Sequence, residues 1–160
     1  MSEAGEFVDY TLQRESSWEK AYGIQERAGK GLKVYGASVG AVRGTIRDTL
    51  NRYRNLGHDD ITALSTELWA EPVFERRLAA VVLLQTEVGL LTHTDLTRLE
   101  GFIRQSDTDA LAVPLANDVV RPLLDRLEGQ ARDKAIKVLQ RWRDDPDPRL
   151  QRAAGLVAGD

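Results

Sequence analysis

The sequence lacks cysteine entirely, and it has only two histidines among its 160 residues. The absence of cysteine excludes disulfides, thiolate metal ligands and cysteine nucleophiles, and it fits the reducing conditions of the cytoplasm. His58 and His93 both lie beside predicted helix starts, so the two histidines are not expected to form a metal site. We therefore expect a cytoplasmic protein that holds no metal and no other cofactor.

Long apolar runs are also lacking. No stretch approaches the roughly 18 consecutive apolar residues that a membrane-spanning helix needs. Residues 1–6 are acidic and do not include the apolar segment of a signal peptide, so no secretory signal is predicted. Hydrophobic residues make up 42% and charged residues 29% of the chain, and this balance is typical of a soluble domain. A membrane partner is therefore not expected.

Basic residues are also few relative to acidic ones, with 22 lysines and arginines against 25 aspartates and glutamates. The formal net charge is −3 at pH 7, whereas proteins that bind nucleic acid are usually basic because contacts to phosphates supply most of the affinity. Binding of nucleic acid would therefore need a locally basic face. Taken alone, the acidic balance favours a protein partner.

What the sequence does contain is a succession of amphipathic helix patterns. The clearest lies within residues 67–84, where one helix is predicted to end near Trp69 and the next to begin with Pro72 in its first turn. The second helix is predicted to be amphipathic, with one apolar face at spacings i, i+4, i+7 and i+8. That face consists of Phe74, Leu78, Val81 and Val82 and continues to Val88.

Similar patterns predict about nine or ten helices joined by short linkers, and no strand. Helix pairs recur roughly every 35 to 45 residues, which is the period of HEAT-like arrays. We therefore expect an all-α fold in which HEAT-like repeats form a right-handed superhelix with a concave surface. The repeats are predicted to form one domain over residues 1–160, with looser order over residues 1–15. Near the N-terminus, one helix is predicted to have its apolar side at Trp18, Ala21, Tyr22 and Ile24.

Several short motifs occur in a recognisable order. They are Tyr35-Gly36, a helix with Arg43, Glu67-Leu68-Trp69 followed by Pro72, Trp142, and Leu150-Gln151-Arg152-Ala153-Ala154. From about residue 15 onward this order resembles the AlkD-type DNA alkylation repair proteins, and the sequence ends before that family's last repeats. The resemblance implies a helical superhelix that holds duplex DNA in a basic groove. In active members it also implies hydrolysis of the N-glycosidic bond of alkylated purines.

The catalytic motif of that family has the form Trp-Asp-x-x-Asp. Its tryptophan stacks near the lesion, and a carboxylate stabilises the cationic sugar as the glycosidic bond breaks. The matching stretch here places Thr108 at the tryptophan position and Ala112 at the catalytic aspartate position. Asp109 is the local carboxylate left as a catalytic candidate, although helix capping by Ser106 explains that segment more simply.

Arg152 is the residue that matches a DNA-contacting arginine of the family, and Arg149 lies one helical turn before it. The alternative for Arg152 is a solvated side chain or an ion pair with Asp145 or Asp147. A second basic stripe at i, i+3 and i+7 is either a phosphate contact or a solvated face, and it comprises Lys134, Lys137 and Arg141. For Trp69 and Trp142, core packing is the favoured interpretation.

The residues and the resemblance together predict a protein that binds duplex or damaged DNA through Arg149 and Arg152. Because threonine cannot stack on a sugar and alanine cannot stabilise a cation, we expect weak or no hydrolysis of alkylated purines. The alternative is a helical-repeat scaffold that binds a protein partner and no nucleic acid.

Overall fold

The computed structural model describes residues 1–159, and helices account for nearly all of its regular structure. Within those residues the one extended pairing is an isolated parallel bridge between Lys33 and Val73. The prediction of an all-α fold is therefore confirmed. The chain divides into two compact units, residues 1–86 and residues 87 onward. The superhelix of HEAT-like repeats and the single domain stay predictions.

Five α-helices form the first unit: α1 (Glu3–Arg14), α2 (Trp18–Ala28), α3 (Val39–Arg52), α4 (His58–Ala70) and α5 (Phe74–Thr86). The first three begin in the same way, because Ser2, Ser17 and Ser38 each accept a hydrogen bond from a backbone N–H in the first turn. In α1, Val8 and Leu12 are fully buried.

Helix α5 is the centre of the first unit and packs against α1, α3 and α4. The sequence predicted one apolar face, but every residue from Phe74 to Leu84 is buried. The amphipathic prediction was wrong because the charged residues of α5, Glu75, Arg76 and Arg77, are buried as well as its apolar ones. Val88 lies outside α5, in a 3-10 turn of the second unit.

The sequence predicted Pro72 in the first turn of α5. In the structure Pro72 instead precedes the helix. The N–H of Lys33 donates to the Pro72 carbonyl at 2.9 Å, and the N–H of Phe74 donates to the Lys33 carbonyl at 2.8 Å. These two bonds hold residues 72–73 extended beside Lys33, so the helix begins only at Phe74.

Helix α2 buries only part of the side that was predicted to be apolar. Ile24 and Ala28 are buried, whereas Trp18 and Tyr22 are 77% and 81% exposed. At 100° per residue, the directions of the Trp18–Tyr22 pair and the Ile24–Ala28 pair differ by about 120° around the helix. The unit covers only the second pair, so two large aromatic side chains face outward.

The second unit is built from shorter helices. Two 3-10 turns, Val88–Leu90 and His93–Asp95, precede α6 (Leu96–Arg104) and α7 (Asp109–Pro114), which continues as a π-helical segment at Leu115–Val120. Three helices complete the unit: α8 (Arg121–Arg126), α9 (Gly129–Asp144) and α10 (Pro148–Ala158). No helix in residues 1–159 is both long and apolar enough to cross a bilayer.

Trp69 and Trp142 are both almost completely buried, so the prediction of core packing is confirmed for each tryptophan. The Trp142 indole N–H donates to the Glu100 carboxylate at 2.8 Å, which satisfies its one polar atom. Asp147 accepts from the N–H of Arg149 at 2.8 Å and caps α10 immediately before Pro148.

Candidate nucleic-acid interface

The segment that matches the family's catalytic motif forms the start of α7. Thr108 is the N-cap residue, because its hydroxyl accepts from the N–H of Ala110 at 3.2 Å. Ser106, which the sequence suggested as the cap, instead donates to the Ile103 carbonyl at 2.8 Å and closes the end of α6. Thr108 and Ala112 are both buried, so neither side chain is presented to a ligand at the surface.

Asp109 and Arg152, the two candidates chosen from the sequence for different roles, contact one another. A nitrogen of the Arg152 guanidinium lies 2.6 Å from an Asp109 carboxylate oxygen, and both side chains are more than half exposed. The pair joins α7 to α10. The candidate acid therefore lies beside a cation, and the candidate DNA-contacting cation has a counter-ion.

Asp145 and Asp147, the partners that the sequence had suggested for Arg152, contact Arg104 instead. Arg104 donates two hydrogen bonds to Asp145, at 2.6 and 3.1 Å, and lies 3.7 Å from Asp147. The hydrogen bond from Arg104, followed by that from the backbone N–H of Asp147, lowers the pKa of Asp145. The same contact with Asp145 raises the pKa of Arg104. Arg104 thus ties α6 to the α9–α10 connection.

Four other cations of the second unit, on α9 and α10, lie at or near the surface and have no ion pair within residues 1–159. Arg149 is half-buried one turn before Arg152, and within residues 1–159 its side chain has no hydrogen-bond or ion-pair partner. The stripe on α9 is exposed and likewise unpaired in the described part of the chain; it comprises Lys134, Lys137 and Arg141.

A further set of exposed arginines belongs to α3 and the residues after it. Arg43 has no partner within residues 1–159, and Arg47 lies 3.8 Å from the exposed carboxylate of Asp48. Arg52 packs over the ring of Phe7 at 5.1 Å, and Arg54 donates to a backbone carbonyl of the preceding turn. The sequence predicted a helix with Arg43 but no ligand for its arginines.

Buried charges in α5 are the feature that sequence reasoning missed. Glu75 is fully buried, and its carboxylate accepts from the backbone N–H groups of Tyr35, Gly36 and Ala37 at 2.9, 2.9 and 3.2 Å. The signal was a charged triplet inside an apolar helix. Its effect is to fix the loop that leads into α3.

The neighbouring arginine, Arg76, contacts two more helices, α1 and α4. Arg76 lies 3.2 Å from Asp9 and donates to the carbonyl of Glu67 at 2.9 Å. The Tyr35 hydroxyl also donates to Asp9, at 2.6 Å. Burial, followed by the hydrogen bond to the Asp9 carboxylate, raises the pKa of Tyr35 to about 12. Tyr35 therefore acts as a half-buried donor that anchors the loop to α1.

Arg77 completes the set by holding the end of α4. Its guanidinium lies 4.9 Å from the Trp69 ring centroid, and its Nε donates to the Trp69 carbonyl at 3.1 Å. Tyr35, Gly36 and Trp69 belong to the motifs that carried the family resemblance. In this chain all three make contacts that hold the first unit together.

Metal-ligating side chains are not gathered anywhere in residues 1–159 in groups of three or more. At the surface around α7 and α10, the guanidinium of Arg152 can bind an anion that takes the place of the Asp109 carboxylate.

Comparison with known proteins identifies one family. Residues 8–158 match the family described as DNA alkylation repair enzyme, which is nearly the whole chain. No match was found among curated proteins or among solved structures. The family match agrees with the order of the Tyr35-Gly36, Glu67-Leu68-Trp69 and Leu150–Ala154 motifs. This chain therefore belongs to the DNA alkylation repair enzyme family.

Proposed function

We propose that this chain binds duplex or damaged DNA and hydrolyses the N-glycosidic bond of alkylated purines weakly or not at all. The observation that carries the proposal is the contact between Arg152 and Asp109. It leaves an exposed arginine at the position of the family's DNA contact, and it neutralises the nearest candidate for a catalytic carboxylate.

Binding is supported by the exposure of the Arg152 side chain. An exposed ion pair contributes only about 0–1 kcal/mol, so a phosphate can replace Asp109 at little cost. The planar guanidinium then offers two parallel donors to the phosphate oxygens. Arg149, one turn earlier and without an ion pair within residues 1–159, is placed to contact the same or the next phosphate.

Weak hydrolysis is supported by what surrounds Asp109. Stabilising a cationic sugar needs a carboxylate whose charge is directed at the reacting carbon. Here the Asp109 charge is directed at Arg152, at 2.6 Å. Thr108 and Ala112, at the family's tryptophan and aspartate positions, are buried and chemically unable to stack on a lesion or to stabilise a cation.

The proposal also includes the right-handed superhelix of HEAT-like repeats and a cytoplasmic location. In each unit, helices follow one another with short connections, and this succession supports the repeat architecture. The absence of cysteine supports a reducing compartment.

The test is a titration of duplex DNA at several salt concentrations. Contacts to phosphates predict a linear fall of log K with log salt, with a slope of about 0.9 for each phosphate contacted. Arg152→Gln should lower this slope by about one. Arg14→Gln, which removes an exposed arginine paired with Glu15 on α1, is the matched control and should leave it unchanged.

Two results would overturn the proposal. If the wild-type protein does not bind duplex DNA even at low salt, the scaffold with a protein partner is the better explanation. If methylated DNA releases alkylpurines rapidly in the presence of the protein, hydrolysis is not weak and the inferred role of the Asp109–Arg152 pair is wrong.

A further inference from the structure

We propose that the outward face of α3 is a second surface that contacts the phosphate backbone of duplex DNA. The face consists of Arg43 and Arg47 together with Gly40 and Gly44, and Arg54 follows two residues after the end of the helix. The inference rests on the proposed function, since it takes duplex DNA as the ligand, but it assigns a contact surface to the first unit, where none had been expected.

Charge is the first argument for this surface. Over the whole chain acidic residues outnumber basic ones, 25 to 22. Residues 39–56 reverse that balance, because the one acid among them is Asp48 and the four bases are Arg43, Arg47, Arg52 and Arg54. A surface of this kind is what an acidic protein needs in order to bind a polyanion.

The arginines are also available. Arg43 has no ion pair or hydrogen bond within residues 1–159, and the Arg47–Asp48 contact at 3.8 Å is between two exposed side chains. Arg54 donates through Nε to the Asn51 carbonyl at 3.2 Å, which leaves both of its terminal nitrogens for a phosphate. Arg52, which packs on Phe7 and Tyr53, is not included in the surface.

The geometry of α3 presents these residues together. Its buried side is formed by Val42, Thr45, Ile46 and Thr49. With 3.6 residues per turn, Gly40, Gly44 and Arg47 lie on the side of the helix opposite the buried residues. Arg43 lies at the edge of this outward side. Arg43 and Arg47 are one turn apart, so their side chains project about 6 Å from one another.

The two glycines show how closely a ligand can approach. A Cβ added at Gly40 would meet only the Ser38 hydroxyl, at 3.9 Å, and one at Gly44 would meet the flexible end of Arg47, at 3.4 Å. Packing within the protein therefore does not require glycine at either position, although glycine weakens a helix relative to alanine. Bare helix backbone between arginines lets a phosphodiester chain lie directly against α3.

Two sets of variants test the surface, and both use duplex binding measured against salt concentration. In Arg43→Gln/Arg47→Gln we expect weaker binding at every salt concentration and a slope lower by about 1.8, since each phosphate contact contributes about 0.9. In Gly40→Ala/Gly44→Ala we expect a higher midpoint of thermal unfolding together with weaker binding, because the added methyl groups hold the phosphates away.

Gly101→Ala is the matched control for the glycine variants. Gly101 lies inside α6, and an added Cβ there would meet nothing within 4 Å. The substitution should raise the unfolding midpoint and leave duplex binding unchanged. We expect both variants to be more stable and only the α3 variant to bind duplex DNA more weakly. Misfolding cannot explain weaker binding in a variant that is more stable.

The outcomes separate this inference from the proposed function. If the wild-type protein binds duplex DNA with a steep salt dependence that neither α3 variant alters, the surface is wrong and the proposed function stands. If the wild-type protein binds vesicles of anionic lipid but not duplex DNA, both are overturned and the face belongs to a membrane. Absence of wild-type binding to DNA at low salt overturns both as well.

Discussion

Arg152 and Asp109 lie 43 residues apart in the sequence, and their side chains are joined at 2.6 Å across α10 and α7. One was selected as a contact to DNA and the other as a candidate acid. The contact couples the two roles, because each side chain reduces the net charge that the other presents to a ligand. Removing either one should therefore change how the other behaves.

Asp109→Asn should strengthen duplex binding. The variant removes the counter-ion of Arg152, and an exposed pair contributes about 0.2–1 kcal/mol, so an affinity gain of up to about fivefold is expected. Asp107→Asn is the control, since Asp107 is exposed nearby and has no ion pair within residues 1–159. An equal gain in both variants would mean that only the overall charge matters. Dissociation constants at one fixed salt concentration decide between the two.

Glu75→Gln should destabilise the first unit by about 3 kcal/mol, the scale of losing charge-assisted hydrogen bonds inside a protein. The amide that replaces one carboxylate oxygen would direct its own N–H groups at the donors of the loop at residues 35–37. Urea unfolding measures the change in the free energy of unfolding. Glu71→Gln, at an exposed position just before α5, should change it by less than about 0.5 kcal/mol.

Gly36→Ala should also be destabilising, by about 1–3 kcal/mol. Gly36 has a φ of +108°, and an added Cβ would lie 2.2 Å from the Ser17 carbonyl oxygen. That carbonyl is backbone and cannot move aside as a flexible side chain does. Thermal unfolding of the variant should show a lower midpoint, opposite in sign to the shift expected for Gly101→Ala. A midpoint equal to that of the wild type would contradict the strain inferred here.

Tyr35 should ionise late in an alkaline titration. Its pKa is raised to about 12 in the folded protein, above the ordinary value of 10.0. A raised folded-state pKa stabilises the fold fully below pH 10, and this contribution is lost as the pH rises toward 12. Absorbance of tyrosinate near 295 nm should contain a component close to pH 12 that Tyr35→Phe removes. If the component survives in that variant, it belongs to another tyrosine.

Helix positions were readable from the sequence, because the spacing of apolar residues reports directly on helical structure. Capping chemistry is local as well: at the start of α10, Asp147 accepts from the N–H of Arg149, and Pro148 lies between them. What could not be read was which side of a helix its neighbours cover. That is why Trp18 and Tyr22 were assigned to a core that excludes them.

The candidate site shows the same division. Asp109 and Arg152 could be selected one at a time from local motifs, but their contact depends on how α7 and α10 pack. Thr108 replaced Ser106 as the cap because Ser106 was already bonded to the preceding helix. The burial of Glu75 depends on a loop 38 to 40 residues away, and periodicity carries no information about such partners.

The residues that make this chain recognisable as a family member are largely occupied with architecture. Tyr35 bonds to Asp9, Gly36 fits against the Ser17 carbonyl, and Trp69 lies beneath Arg77. Substitutions at these positions should therefore lower the stability of the fold whether or not they change activity, so a stable fold alone is a reason for a chain of this family to retain them.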